Sequence, residues 1–144
     1  MPKAEKAERW QPTEEAFIRK TIDECMNRYN VDPTRVVVEG YQGGAAMAYL
    51  SAFKHRDLIR GVIAVDSALP LRIGQPQNDP IQRLAILTAI GKKSKLYERV
   101  SQGVEQLREV KFPVTVLETG DEARALTPQE RQEVAKWIDA LDRI

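Results

Sequence analysis

The chain is poor in the residues that most readily build ligand sites. Among 144 residues there is one cysteine, Cys25, and one histidine, His55. A single cysteine excludes an internal disulfide, and one Cys with one His cannot assemble a Cys/His zinc centre. No metal and no cofactor is expected. An excess of charge of one sign is missing too: 22 Lys and Arg stand against 21 Asp and Glu, a net charge of +1. That balance gives no electrostatic footprint for nucleic acid or an anionic membrane surface. No apolar run reaches the roughly 18 residues of a membrane-spanning helix, so no membrane insertion is expected. Residues 1–9 are charged and lack the apolar core of a signal peptide. None of these absences names a compartment.

What is present is a chain of 42 % hydrophobic and 30 % charged residues, the length of one ordinary domain. Residues 1–12 are polar apart from Trp10 and read as a flexible N-terminal arm, with Trp10 either an anchor onto the body or a partner contact. A single domain is expected over residues 13–144. Thr13, followed by Glu14 and Glu15, predicts a helix start. Phe17, Ile18, Ile22, Cys25, Met26 and Tyr29 then recur at helical spacing, which predicts a buried stripe with Cys25 in the core and Asn30 as a left-handed cap.

Residues 35–39 (RVVVE), 61–65 (GVIAV), 84–88 (LAILT) and 114–117 (VTVL) are short apolar runs bounded by turn residues, as in strands covered on both faces. Helices are expected over 45–53 and 95–110 and from Thr127, where Thr127-Pro128-Gln129-Glu130 is a capping box with Pro at the first helical position. Residues 67–80 carry Pro70, Gly74, Pro76 and Pro80 and form a long loop. The order is αβαβ-loop-βαβα. It predicts a three-layer α/β domain of about four parallel strands with helices on both faces.

The bend after the first strand, Gly40-Tyr41-Gln42-Gly43-Gly44, has the frame of the nucleophile elbow G-x-S-x-G. Residues 31–48 (VDPTRVVVEGYQGGAAMA) resemble the elbow region of α/β hydrolases of the carboxylesterase/phospholipase and dienelactone-hydrolase-like families. Residues 53–65 (FKHRDLIRGVIAV), Ala68-Leu69-Pro70 and the segment 126–141 resemble the later helix, strand, turn and closing helix of those families. The resemblance covers about residues 13–142. It corresponds to the C-terminal half of such a hydrolase, so the N-terminal strands, with half of the oxyanion hole, have no counterpart.

The resemblance implies a serine nucleophile, an acid after the third strand and a histidine before the last helix. Counted from Gly40, the nucleophile position holds Gln42; counted back from Gly43-Gly44, the serine is deleted and Gln42 follows its place. Neither alignment leaves a hydroxyl or thiol at the elbow. The acid's turn is Ala89-Ile90-Gly91-Lys92-Lys93-Ser94, with Lys where Asp is expected. The base's loop is Gly120-Asp121-Glu122-Ala123, without His. His55 lies a helix away, on the order of 16 Å, whereas a general base must come within about 3 Å of its proton. It reads as a cap at the end of that helix. Ser67 and Ser94 read as turn residues. No catalytic residue is therefore assigned.

Ligands of open α/β sheets bind at the carboxyl ends of the strands. The degenerate elbow, Tyr41, Gln42, Gly43 and Gly44, is a possible anion site, with Arg72, Lys92, Lys93 and Asp121 as a possible pocket rim. The competing readings are that Gly43 and Gly44 serve only the bend and helix packing, that Asp121 and Glu122 serve the last helix's dipole, and that Lys92-Lys93 is a solvated turn. With the N-terminal strands missing, Val36, Val37 and Val38 form an apolar sheet edge, which suggests a covering partner. The partner is either a second copy of this chain or a neighbouring part of a longer polypeptide. The function expected is a non-catalytic hydrolase-like binding or interaction module, part of a longer multidomain bacterial protein. The alternative is a serine hydrolase of esterase type whose catalytic groups come from a partner or are unrecognised.

Overall fold

Four short parallel strands are the scaffold of the computed structural model, which describes residues 10–122 and 124–144. Strands β1 (Val37–Tyr41), β2 (Gly61–Val65), β3 (Ala85–Ile90) and β4 (Val114–Glu118) lie side by side in chain order, so β1 and β4 are the two edges. Helix α1 (Glu15–Arg28) precedes β1, α2 (Gly43–Lys54) connects β1 to β2, α3 (Tyr97–Glu109) connects β3 to β4, and α4 (Pro128–Asp139) follows β4. Most of the expected arm lies outside the described residues; of the remainder, Trp10 is half-buried and Pro12–Glu14 forms a 3-10 turn.

Alternation along the strands builds two cores. Val62, Ala64 and Ile86 point to one face, where they meet Ala45, Ala48, Tyr49 and Ala52 of α2. Leu107 of α3 joins that cluster, and Val100 and Val104 pack with Ile90 further along the same face. Ile63, Val65, Leu87 and Ala89 point to the other face, against Val134 and Trp137 of α4 and Leu141 beyond it. Both inner strands are buried on both sides, which is why their sequences are unbroken apolar runs. The three-layer α/β expectation holds.

Several local expectations are corrected. The first helix is not capped by Thr13. Pro12 opens a 3-10 turn in which Gln11 and Glu14 close a reciprocal capping box, and α1 follows from Glu15. Asn30 is not left-handed; α1 ends at Arg28, and Tyr29 leaves it in an extended conformation. Cys25 is exposed, not in the core, and so are Phe17 and Tyr29. The reason is that α1 rests on α2 through a narrower strip, Ile22 and Met26, than its apolar periodicity suggests. β1 is not covered on both faces: Val36 is buried, Val37 and Val38 are half-buried, and Glu39 and Tyr41 are exposed.

Polar groups fix the outer helices. The Glu15 carboxylate, almost buried, accepts from Lys54 Nζ (2.6 Å) and pairs with His55 Nε2, while Arg19 holds Asp57 (2.9 Å). Burial alone raises the Glu15 pKa, but the contacts with Lys54 and His55 outweigh it and leave it below its ordinary value. This cluster ties α1 to the C-terminal end of α2. At α4, Thr127 Oγ1 accepts from Glu130 N (3.2 Å) and Glu130 Oε1 accepts from Thr127 N (2.9 Å), so the capping box forms as the sequence predicts.

Candidate functional site

The turn from β1 into α2 is tight for a stated reason. A Cβ on Gly40 would stand 2.1 Å from the Gly44 carbonyl carbon and 2.4 Å from Ala45 N, so only glycine lets the helix fold back this closely. At the apex Gln42 has φ 50° and ψ −113°, a left-handed, strained conformation for a side-chain-bearing residue. Its carbonyl accepts from Ala45 N (3.0 Å) and Ala46 N (3.1 Å), which starts α2. Of the two alignments, the geometry favours the one with Gln42 itself at the elbow position.

The backbone of Gln42 prolongs the β1–β2 ladder, with its N–H on Val65 O (2.9 Å). One strand over, Asp66 does the same, its N–H on Ala89 O (2.9 Å), and it too has φ 50°. Adjacent strand ends therefore place the two side chains together. Gln42 Nε2 donates to Asp66 Oδ2 (3.1 Å), and Ser94 Oγ donates to Asp66 Oδ1 (2.7 Å). Asp66 is only 3 % exposed. Ser94 Oγ also accepts from Leu96 N (3.2 Å), which fixes the turn before α3. A buried carboxylate thus occupies the centre of the carboxyl-end surface and spends both oxygens on the residues after β1 and β3. Asp66 is not among the candidate residues that the sequence suggests.

Of the expected site residues, Gln42 bonds to this centre and the others do not. Tyr41 and Gln42 are exposed at the elbow, and Gly43 and Gly44 open α2. Neither glycine has a left-handed φ, and a Cβ on either would meet nothing within 4 Å, so bend and packing do not account for them; that role belongs to Gly40. Lys92 Nζ pairs with Glu118 (3.3 Å) and Lys93 Nζ with Asp121 (3.3 Å), all with exposed side chains. Their turn is pinned by its backbone, Lys92 N on Gly120 O (2.8 Å) and Lys93 N on Asp121 O (2.6 Å). Arg72 lies elsewhere, in a cleft with Glu15, Leu50, Phe53 and Lys54 at the other end of α2. The acid in the first turn of α4 is Glu130, not Asp121 or Glu122. Ser67 is buried and makes only a long contact with Ala68 O (3.3 Å).

His55 is the residue after α2 and is bound to Glu15. The 12 residues of α2 put about 18 Å between it and the elbow. Among the described residues, no three His, Cys, Asp or Glu side chains are placed to hold a metal, and no helix is long and apolar enough to cross a membrane.

A parallel sheet crossed by an elbow of this shape defines the α/β-hydrolase class. Residues 2–139 match the phospholipase/carboxylesterase family, and the chain belongs to it. Solved structures agree on the fold. The chain is similar to a carboxylesterase of Bacillus cereus (TM-score 0.67, 19 % identity, 96 % of this chain and 67 % of that one). It is similar to SOBER1 of Arabidopsis thaliana (0.69, 16 %, 90 % and 61 %) and to a dienelactone hydrolase-like promiscuous phosphotriesterase from metagenomic libraries (0.62, 13 %, 90 % and 60 %). At these identities the likeness establishes the fold alone, and the chain spans roughly two thirds or less of each. No curated protein matches the sequence.

Proposed function

We propose that this chain is a non-catalytic member of its family, a hydrolase-like module that acts by binding and belongs to a larger assembly. The observation that carries this reading is Gln42 at the elbow apex, its amide hydrogen-bonded to the buried Asp66. Acyl transfer needs a nucleophile, a base to take its proton and a group that orients the base. An amide has no proton to surrender and no activatable lone pair. The loop before α4 offers Asp121 and Glu122, and the one histidine is bound to Glu15 at the other end of α2. Purified protein should hydrolyse short p-nitrophenyl esters no faster than the same sample after heat denaturation. Turnover above that control, lost on mutating one named residue, overturns the reading.

A second reading has one specific observation in its favour. Ser94 Oγ lies 2.7 Å from Asp66 Oδ1, the arrangement of a nucleophile beside a carboxylate base. In an esterase of this kind Ser94→Ala abolishes turnover and leaves the fold intact.

The edge of β1 is where we place the partner. Among the described residues its outer N–H and C=O groups have no neighbouring strand, and Val37 and Val38 are half-buried. A second copy pairing edge to edge about a two-fold axis would satisfy both rows. A neighbouring segment of a longer polypeptide would do so equally well.

A further inference from the structure

The amino ends of β2, β3 and β4 open into a cleft of about 430 Å³, on the side of the sheet opposite the elbow. That volume suits a small molecule. The cleft has an apolar wall, made by Leu84, Ala85, Pro113 and Leu141, with Ile81, 88 % exposed, at its rim. It also has cations that no carboxylate among the described residues neutralises. The Arg60 guanidinium is held by backbone carbonyls of Arg56 (2.9 Å), Asp57 (3.2 Å) and Arg83 (3.5 Å), which fix its position and leave its charge unmatched. The side chains of Arg83 and Lys111 have neither hydrogen bond nor ion pair among the described residues. Lys111 is nevertheless held in place, because Asn78 Nδ2 donates to its carbonyl (3.0 Å).

Of the cleft's two acidic side chains Asp142 is ion-paired and Asp79 is not, which leaves one carboxylate against the charges of Arg60, Arg83 and Lys111. Asp142 pairs with Arg35 (3.4 Å) and Arg143 (3.8 Å), and Asp79 Oδ1 accepts from Ile81 N (2.9 Å). Unmatched positive charge beside an apolar wall is complementary to one kind of ligand. We propose that this cleft binds a carboxylate carried on a short apolar body, with the anion between Arg83 and Lys111 and the body against Leu84, Pro113 and Leu141. A free carboxylic acid and the C-terminal carboxylate of a peptide ending in an apolar residue share this chemistry. The site owes nothing to the elbow and is independent of whether the chain hydrolyses esters.

The test is amide chemical-shift titration of the intact chain with hexanoate, with acetyl-alanyl-leucine bearing a free carboxylate, with 1-hexanol and with inorganic phosphate. Saturable shifts at residues 79–85 and 111–115 with hexanoate or the dipeptide support the site, and the tighter of the two identifies the source. The double variant Arg83→Gln/Lys111→Gln should weaken that binding about tenfold, the loss of a single charge-assisted contact being enough. Its thermal unfolding should not change, since neither side chain has a partner to lose. The proposal is overturned by hexanol shifting the same amides as strongly as hexanoate, by phosphate competing as well as the organic acids, by undiminished binding to the double variant, or by no shift at all.

Discussion

Gln42 and Asp66 stand on neighbouring strand ends and join side chain to side chain, Nε2 to Oδ2 at 3.1 Å, at the bend from β1 into α2. The pairing is a result of register. Tyr41 is opposite Val65 and Val65 is opposite Ala89, so the residue after each strand continues the ladder and projects beside the next. Both residues also share a left-handed φ of 50°. The bend after β1 therefore has a left-handed apex whose side chain is tied to the next strand end.

Asp66 should act as the keystone of this surface. Asp66→Ala removes the acceptor for both Gln42 and Ser94 and puts alanine at a left-handed φ. It should lower stability by about 1–3 kcal/mol, from stranded polar groups and backbone strain together. Asp66→Asn keeps an acceptor and a residue tolerant of that backbone, and should lose less than half as much. Urea unfolding of the two variants compares them directly. Asp66→Asn losing as much as Asp66→Ala would contradict this ranking.

Gln42→Ser by itself should not make an enzyme. The new hydroxyl would sit at the elbow beside a carboxylate already held by Ser94, with no imidazole to carry its proton. Stopped-flow mixing with p-nitrophenyl acetate should show no acyl-enzyme burst. A burst stoichiometric with protein would mean that Asp66 serves as a base.

Acid should loosen the α4 cap first through Glu130. Its hydrogen bonds with Arg124 (2.5 and 3.1 Å) are the main cause, and with the Thr127 contacts they overcome burial and hold its pKa at about 2, against an ordinary 4.5. A depressed carboxyl stabilises the fold fully above its unfolded value and loses that contribution as pH falls from about 4.5 towards 2. The stability gap between wild type and Glu130→Gln should be widest near neutral pH and close across that window. A gap that widens on acidification would reverse the assignment. Thr127→Ala, which deletes the other half of the box, should be less stable by about 1 kcal/mol at neutral pH.

Hydrogen exchange along β1, followed over a dilution series with light scattering, decides how its edge is covered. Protection of the outward amides of Val37, Glu39 and Tyr41, which alternate with residues bonded to β2, supports self-association if it fades as a dimer dissociates. Protection independent of concentration in a monomer points to cover from within the chain, and free exchange at every concentration contradicts any cover in the isolated chain.

Much of this is legible in the sequence, because the relevant signals are local. The Thr127–Glu130 box, the apolar runs of β2 and β3 and the glycine bend each specify their structure within a few residues. Asp66 escapes because its role depends on which strand ends are neighbours. In a sheet ordered like the chain, reading the first residue after each strand as one row brings Gln42 and Asp66 together. The stripe of α1 misleads because periodicity says which face is apolar and not how much of it is covered. Ile22 and Met26 are packed against the core, whereas Phe17, Cys25 and Tyr29 of the same pattern are exposed. Arg72, expected at the pocket rim, is carried by its 3-10 turn to a cleft at the far end of α2.

The central claim, an elbow without a nucleophile, is tested most directly by incubating the native chain with a serine-directed fluorophosphonate and weighing the intact protein by mass spectrometry. The account predicts no adduct under conditions that label a serine esterase completely. A stoichiometric adduct on native protein, absent after heat denaturation and mapped to Ser94 or Ser67, would contradict it.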